Sequence, residues 1–310
     1  MIFKDILDAK TQQLYQEFDL LLQNSLLRQT HNGDLLLVIV NGFHHPEVHT
    51  WDNLGGQQSP YLIGPGDEGH SEILHHNFIG NYLRDAAFDQ PYKDYLDLIQ
   101  WTSERAAEAD RLHDDEAVSI QYEMLIYQKI WEMDSYLKKL YQLTRIANSE
   151  PYDWHFRIKQ SVNLKNKGKK REEIVRLHVR DRLKPEYPLI YNAIKNAYRT
   201  QVRNSIAHSQ YSIYGRYIHL HNYIEDDLNS QIRVITFDQW VDMIHDTLVI
   251  YSQISRLQKM IDTFYVGLSK NSGGTVEVRI NRIDPVEKVE FHLLKPVTEK
   301  GGLWCPAKDN

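Results

Sequence analysis

Within the segment Val202-Arg203-Asn204-Ser205-Ile206-Ala207-His208-Ser209-Gln210-Tyr211, three side chains have the chemistry needed to open an RNA phosphodiester without a metal. Histidine ionises near neutral pH, so His208 is the candidate to take the 2′-OH proton or to protonate the leaving oxygen. Arg203 offers a permanent planar cation to the charge that builds on the phosphorane. Asn204 is placed to orient the histidine or to hold the phosphate. The bare spacing says little. With 17 arginines and 15 histidines in 310 residues, an arginine five residues before a histidine arises by chance about once. Arg216-x4-His221 is a second such pair and reads as that chance event.

Context separates the two pairs. Ile190, Ile194, Tyr198, Val202 and Ile206 recur at every fourth position after Pro188, the stripe of a helix facing a core. At about 100° per residue, Asn204 and His208 share a face roughly opposite Val202 and Ile206. A structural core histidine is expected on the stripe instead. Arg203 stands about 140° from His208 on an ideal helix. Either the helix ends near Ala207, or the site combines residues of two protomers, with Ala207 leaving room for close approach.

Charge points to a polyanion. Residues 157–203 hold fourteen Lys/Arg and four acids, a balance of +10 in a chain of net −6, which leaves −16 elsewhere. Such a stretch suits a phosphate backbone, and the acidic remainder discourages indiscriminate nucleic-acid binding. The expected contacts are Lys165, Lys167, Lys169, Lys170, Arg171 and Arg199. A solvated basic helix is the alternative reading of the same residues.

The elements that carry these residues are mainly helical. A helix is predicted over residues 3–29, then a buried strand over Asp34–Asn41 between Asn-Gly pairs, and a long Gly/Pro/His-rich loop over 42–70. Helix signals dominate from about residue 72. The strongest run is 117–147, with Tyr122, Ile126, Ile130, Met133, Leu137 and Leu140 as its core stripe. A further helix spans about 171–183. Alternation at Ile213, Arg216–His221 and Arg233–Thr236 predicts a small β-hairpin, and Thr236-Phe-Asp-Gln239 matches a capping box. The helix it opens buries Trp240, Ile244, Leu248, Tyr251, Ile254, Ile261 and Phe264. A short β segment, Thr275–Ile280, and a polar tail follow.

Two other patterns are set aside. Gly64-Pro-Gly66-Asp-Glu-Gly69 fits a dinucleotide fingerprint, yet Pro65 removes a donor and Asp67 and Glu68 repel phosphate. Seven histidines (31, 44, 45, 49, 70, 75 and 76) crowd residues 31–76 with Glu47, Asp52 and Asp67, and a metal enzyme built on them is a third reading. No stretch among them reads H-E-x-x-H, and no metal or other cofactor is expected. The single cysteine, Cys305, excludes an internal disulfide, and a reducing compartment is the natural reading. No apolar run approaches a bilayer span, so a cytoplasmic protein without membrane contact is expected.

The segment Arg203-Asn204-x-x-Ala207-His208, near the end of a helix that follows other bundle helices and precedes the last, resembles the HEPN superfamily. The resemblance covers about residues 86–268. It implies a HEPN-like helical bundle carrying a small β-hairpin after the motif helix, with minor α/β N-terminal and β C-terminal additions. The division it implies is an N-terminal region 1–85, a helical domain 86–270 and a C-terminal segment 271–310. The activity it implies is metal-independent endoribonuclease chemistry in prokaryotic defence or stress. Arg203, Asn204 and His208 would be its catalytic set, with RNA as substrate. The family also implies a homodimer, and an antitoxin or regulatory partner. Non-catalytic members bind RNA or protein, which is the alternative. Toxins paired with small nucleotidyltransferases tend to carry a tyrosine two positions after the histidine, and here Tyr211 stands three after.

Overall fold

The computed structural model describes residues 1–40, 67–154, 156, 158, 168–282, 288–297 and 304–307. Contacts divide the chain into two units that interleave along it. The first comprises Met1–Gln16, Leu74–Met133 and Pro188–Ser252, and the second Glu17–Ile73, Asp134–Tyr187 and Gln253–Asn310. These divisions follow neither 85/86 nor 270/271. The protein is mainly helical, with small sheets.

The first unit contains the motif. Its helices are α4 (Tyr92–Leu98), α5 (Ala106–Glu132), α9 (Pro188–Ala197) and α10 (Thr200–Ala207), with parts of α1 (Lys4–Arg28), α3 (Asp67–Ala86) and α11 (Phe237–Asn271). Strands β1 (Ile2–Phe3) and β2 (Ala87–Phe88) pair in parallel. Trp131, Trp240 and Tyr127 are fully buried at its centre. Each large ring brings a polar atom that needs a partner. Trp240 Nε1 donates to Glu123 at 2.6 Å, and Trp131 Nε1 donates to Thr247 Oγ1 at 3.4 Å. The expected hairpin is present as β3 (Tyr211–Tyr214) and β4 (Tyr217–Leu220), and β5 (Val234–Thr236) extends it into an antiparallel sheet of order β3-β4-β5. The capping box closes at the head of α11. Gln239 N donates to Thr236 Oγ1 at 3.1 Å, and Thr236 N to Gln239 Oε1 at 3.0 Å.

The second unit corrects the predicted strand at Asp34–Asn41. Residues Asp34–Ile39 form a helix, α2, and Asp34 to Val38 are all buried. A short run that is apolar on every side has no period, so the sequence did not separate strand from buried helix. Leucines favour the helix, and the Asp34 carboxylate accepts the His31 N–H at 3.1 Å just ahead of its first turn. Helix α2 packs on α6 (Asp134–Ala147) and on β6 (Val276–Arg282). The polar tail is also corrected. β6 pairs with β7 (Lys288–Pro296), which pairs with β8 (Trp304–Pro306), giving a three-stranded antiparallel sheet. Residues 171–183 are helical as expected, as α7 (Arg171–Glu173), a π-helical stretch (Ile174–Arg180) and α8 (Asp181–Leu183).

Two long helices break where periodicity predicted continuity. The run 117–147 divides at Met133, whose ψ of 107° is extended, into α5 and α6. Its stripe is buried from Ile126 to Leu140, but Tyr122 is 57% exposed. In α11, Phe264 is 44% exposed and its neighbour Tyr265 is buried instead. Tyr265 Oη lies 2.9 Å from Gln29 Oε1 and 2.7 Å from Asn32 O, polar partners that no hydrophobic pattern records. Cys305 is a free thiol, and no helix among the described residues is long and apolar enough to cross a membrane.

Candidate nuclease site

The motif helix is short because the second break falls just before it. Tyr198 is buried and meets Trp131 edge-on at 5.0 Å, while Arg199 turns extended (φ −128°, ψ 114°). The Arg199 N–H then points to Tyr127 Oη at 3.3 Å. Losing the intrahelical bond at Arg199 divides the predicted stripe between α9 and α10. All five stripe residues, from Ile190 to Ile206, are nevertheless buried.

Helix α10 ends at Ala207, the first of the two alternatives read from the Arg203–His208 angle. His208 is the C-cap, and Ser209 takes the left-handed conformation at φ +52°. The Gln210 N–H returns to Ser205 O at 2.8 Å and the Ser209 N–H to Ile206 O at 3.2 Å, a Schellman ending. Beyond it, the His221 N–H donates to Gln210 O at 2.9 Å and holds the exit to the sheet. The His208 backbone is thus held on both sides. Its side chain is exposed and has no partner among the described residues.

Arg203 and Asn204 are brought together. Arg203 Nη2 donates to Asn204 Oδ1 at 2.7 Å, with Nε at 3.3 Å from the same oxygen. Arg203 Nη1 pairs with Glu132 at 3.0 Å, with the guanidinium side chain 18% exposed. A guanidinium carries five N–H donors, so two are left for an incoming oxyanion. Glu132, at the last position of α5, is the partner of Arg203 that sequence reasoning missed. Nothing in its local spacing marks it, because its relation to Arg203 comes from helix packing. His208 joins the pair only through its backbone, where His208 N donates to Asn204 O at 3.0 Å.

The expected RNA contacts separate. Arg199 lies in the unit of the motif and is exposed, with no side-chain partner among the described residues. Lys169, Lys170 and Arg171 lie in the other unit. Lys169 Nζ donates to Tyr141 Oη at 3.2 Å, and Arg171 pairs with Asp134 at 2.6 Å. Lys170 is exposed. Lys165 and Lys167 lie outside the described residues.

The chance match behaves differently from the motif. Arg216 forms a two-pronged pair with Glu116 at 3.1 and 3.2 Å, and His221 Nε2 sits 3.1 Å from Ser212 Oγ. Both are engaged within the fold.

Of the clustered histidines, His44, His45 and His49 lie outside the described residues, as do residues 64–66 of the glycine pattern. His70, His75 and His76 fall on α3, which begins at Asp67 and replaces the last part of the predicted loop. His76 Nδ1 meets Tyr251 Oη at 2.9 Å. Among the described residues no group of three or more His, Cys, Asp or Glu could hold a metal ion.

No family model, curated protein or solved structure matches the chain.

Proposed function

We propose that this protein is a HEPN-type endoribonuclease that cleaves RNA without a divalent metal, in the cytoplasm, in prokaryotic defence or stress. One observation carries the reading: a solvent-facing histidine on a pinned helix cap, five residues after an arginine fork braced by the motif's asparagine. His208 takes the proton of a ribose 2′-OH, and the oxygen attacks the adjacent phosphorus. Arg203 stabilises the phosphorane through its two remaining N–H groups. The P–O5′ bond breaks and the 5′-oxygen receives a proton, supplied by the second histidine when two protomers associate. The products are a 2′,3′-cyclic phosphate and a 5′-hydroxyl. Asn204 positions the arginine.

The test is an RNA digest with and without EDTA, with product ends mapped, beside Arg203→Ala and His208→Ala. Cleavage that survives EDTA, leaves cyclic phosphate, spares DNA and is lost in both variants supports the proposal. Arg203→Lys is also strongly impaired, because an ammonium cannot hold Asn204, Glu132 and phosphate in one plane. Cleavage by His208→Ala at the normal rate, or its loss in EDTA, overturns it.

The Arg203–Glu132 pair favours a second reading, a HEPN module that binds RNA or a regulatory partner without cleaving. There the guanidinium is kept neutralised. Wild-type protein that binds RNA with no turnover would select that reading.

A further inference from the structure

We propose that a cleft beside the motif helix is a base-reading subsite for guanine in single-stranded RNA, a proposal that takes RNA as the ligand from the reading above. The cleft has a volume of about 330 Å³, within the range of small-molecule sites. All of it lies in the motif's own unit.

Its chemistry is two-sided. Ile232, Val234 and Met243 give the cleft apolar surface, with Val234 itself 39% exposed. Ile232 is fixed to the motif helix by buried Gln201, whose side chain accepts the Ile232 N–H at 2.9 Å and donates to Ile232 O at 2.7 Å. Arg199, Asn196 and Asp242 give the cleft polar groups. Arg199 brings a guanidinium with no side-chain partner among the described residues.

Asp242 is held ready. Lys10 Nζ reaches its Oδ1 at 2.6 Å and Asn196 Nδ2 reaches its Oδ2 at 2.7 Å. The same lysine and amide bind Asp246, each at 2.7 Å, so the four side chains lock one another. A carboxylate has about four lone-pair sites, so each Asp242 oxygen retains acceptor capacity. Asp242 is exposed, and an entering ligand can reach it.

The carboxylates argue against a phosphate in this cleft. They suit a flat ligand with apolar faces, two adjacent donors on one edge and acceptors on the next. Guanine alone among the common bases sets N1–H beside N2–H₂, matching the two oxygens of Asp242. Its O6 and N7 accept from an arginine fork. Arg199 and His208 flank α10, whose eight residues rise about 12 Å, or three to four stacked nucleotide steps of roughly 3.4 Å. The base read here therefore lies outside the nucleotides flanking the scissile bond.

The experiment has two independent arms. Titration calorimetry measures binding of GMP, AMP, CMP and UMP, and of short single-stranded RNAs carrying one G, A, C or U in a fixed background. Sequencing of cleavage sites gives the base preference at each position from the cut. Wild-type protein is expected to prefer guanine by roughly tenfold or more. Arg199→Ala and Asp242→Asn are expected to bring that ratio close to one. Because Asp242 is tied to Lys10, its variant is read beside Val234→Trp, which fills the cleft without touching the ion pairs. Guanine binding by GMP alone but not by RNA would assign a free-nucleotide site and overturn the RNA subsite. Equal binding of all four bases, or a wild-type preference unchanged in both Arg199→Ala and Val234→Trp, overturns the proposal. Selective guanine binding without any cleavage leaves the subsite standing and removes only the nuclease reading.

Discussion

His245 should make the first unit sensitive to acid by an amount the structure sets. Its Nε2 accepts the Phe3 N–H at 2.9 Å, and its Nδ1 lies 2.6 Å from Val241 O, to which it donates. Only the neutral imidazole with its proton on Nδ1 fills both roles. Burial pushes its pKa from 6.5 down to about 4, with the nearby Lys10 charge acting in the same direction. The unfolded chain takes up a proton below about pH 6.5, while the folded one waits until about pH 4, so stability falls as acid is added across that window. At about 1.4 kcal/mol per pH unit, the loss between pH 7.5 and 4.5 is about 2 to 3 kcal/mol. Burial also raises the carboxyl pKa values of Asp246 and Asp34, and these act with the opposite sign. A difference against His245→Leu removes that background. At pH 7.5 the variant is expected to be less stable by about 1–3 kcal/mol, because the Phe3 N–H loses its acceptor. At pH 4.5 the gap should close or reverse. Urea unfolding followed by tryptophan fluorescence at both pH values gives the comparison. A gap of the same size at both would refute the account of a histidine held neutral by burial.

Four further outcomes follow from other contacts. Glu132→Gln removes the carboxylate from Arg203 and should tighten RNA binding by several-fold while shifting kcat, measured by filter binding and single-turnover cleavage. Lys170→Gln should lower the slope of log K against log salt by about 0.7 for single-stranded RNA, since Lys170 is exposed and free to meet a phosphate. Gly33→Ala should cost about 1–3 kcal/mol, because the added Cβ would meet Glu277 O at 2.6 Å and Val278 Cγ1 at 2.7 Å. Light scattering at micromolar concentration should give twice the 36.6 kDa chain mass, and a strict monomer with intact RNase activity would remove the two-histidine scheme.

Patterns carried by neighbours in sequence were legible in the chain itself. The Ile190–Ile206 stripe, the Thr236–Gln239 capping box, the helix over 171–183 and the outward face of His208 all follow from local periodicity or local hydrogen bonds. Contacts between distant residues decided the rest. Asp34–Ile39 is a helix because α6 and β6 cover it, and its apolar run suits either form until they do. The stripe residue Tyr198 is buried as its spacing requires, yet the helix breaks beside it because Tyr127, far away in sequence, takes the next N–H. Phe264 and Tyr265 compete for one inward position, and the tyrosine holds it where Gln29 and Asn32 meet its hydroxyl. The pairing of Arg203 with Glu132 has the same origin: hydrophobic spacing places each side chain on its own helix, and only packing puts the two charges within reach.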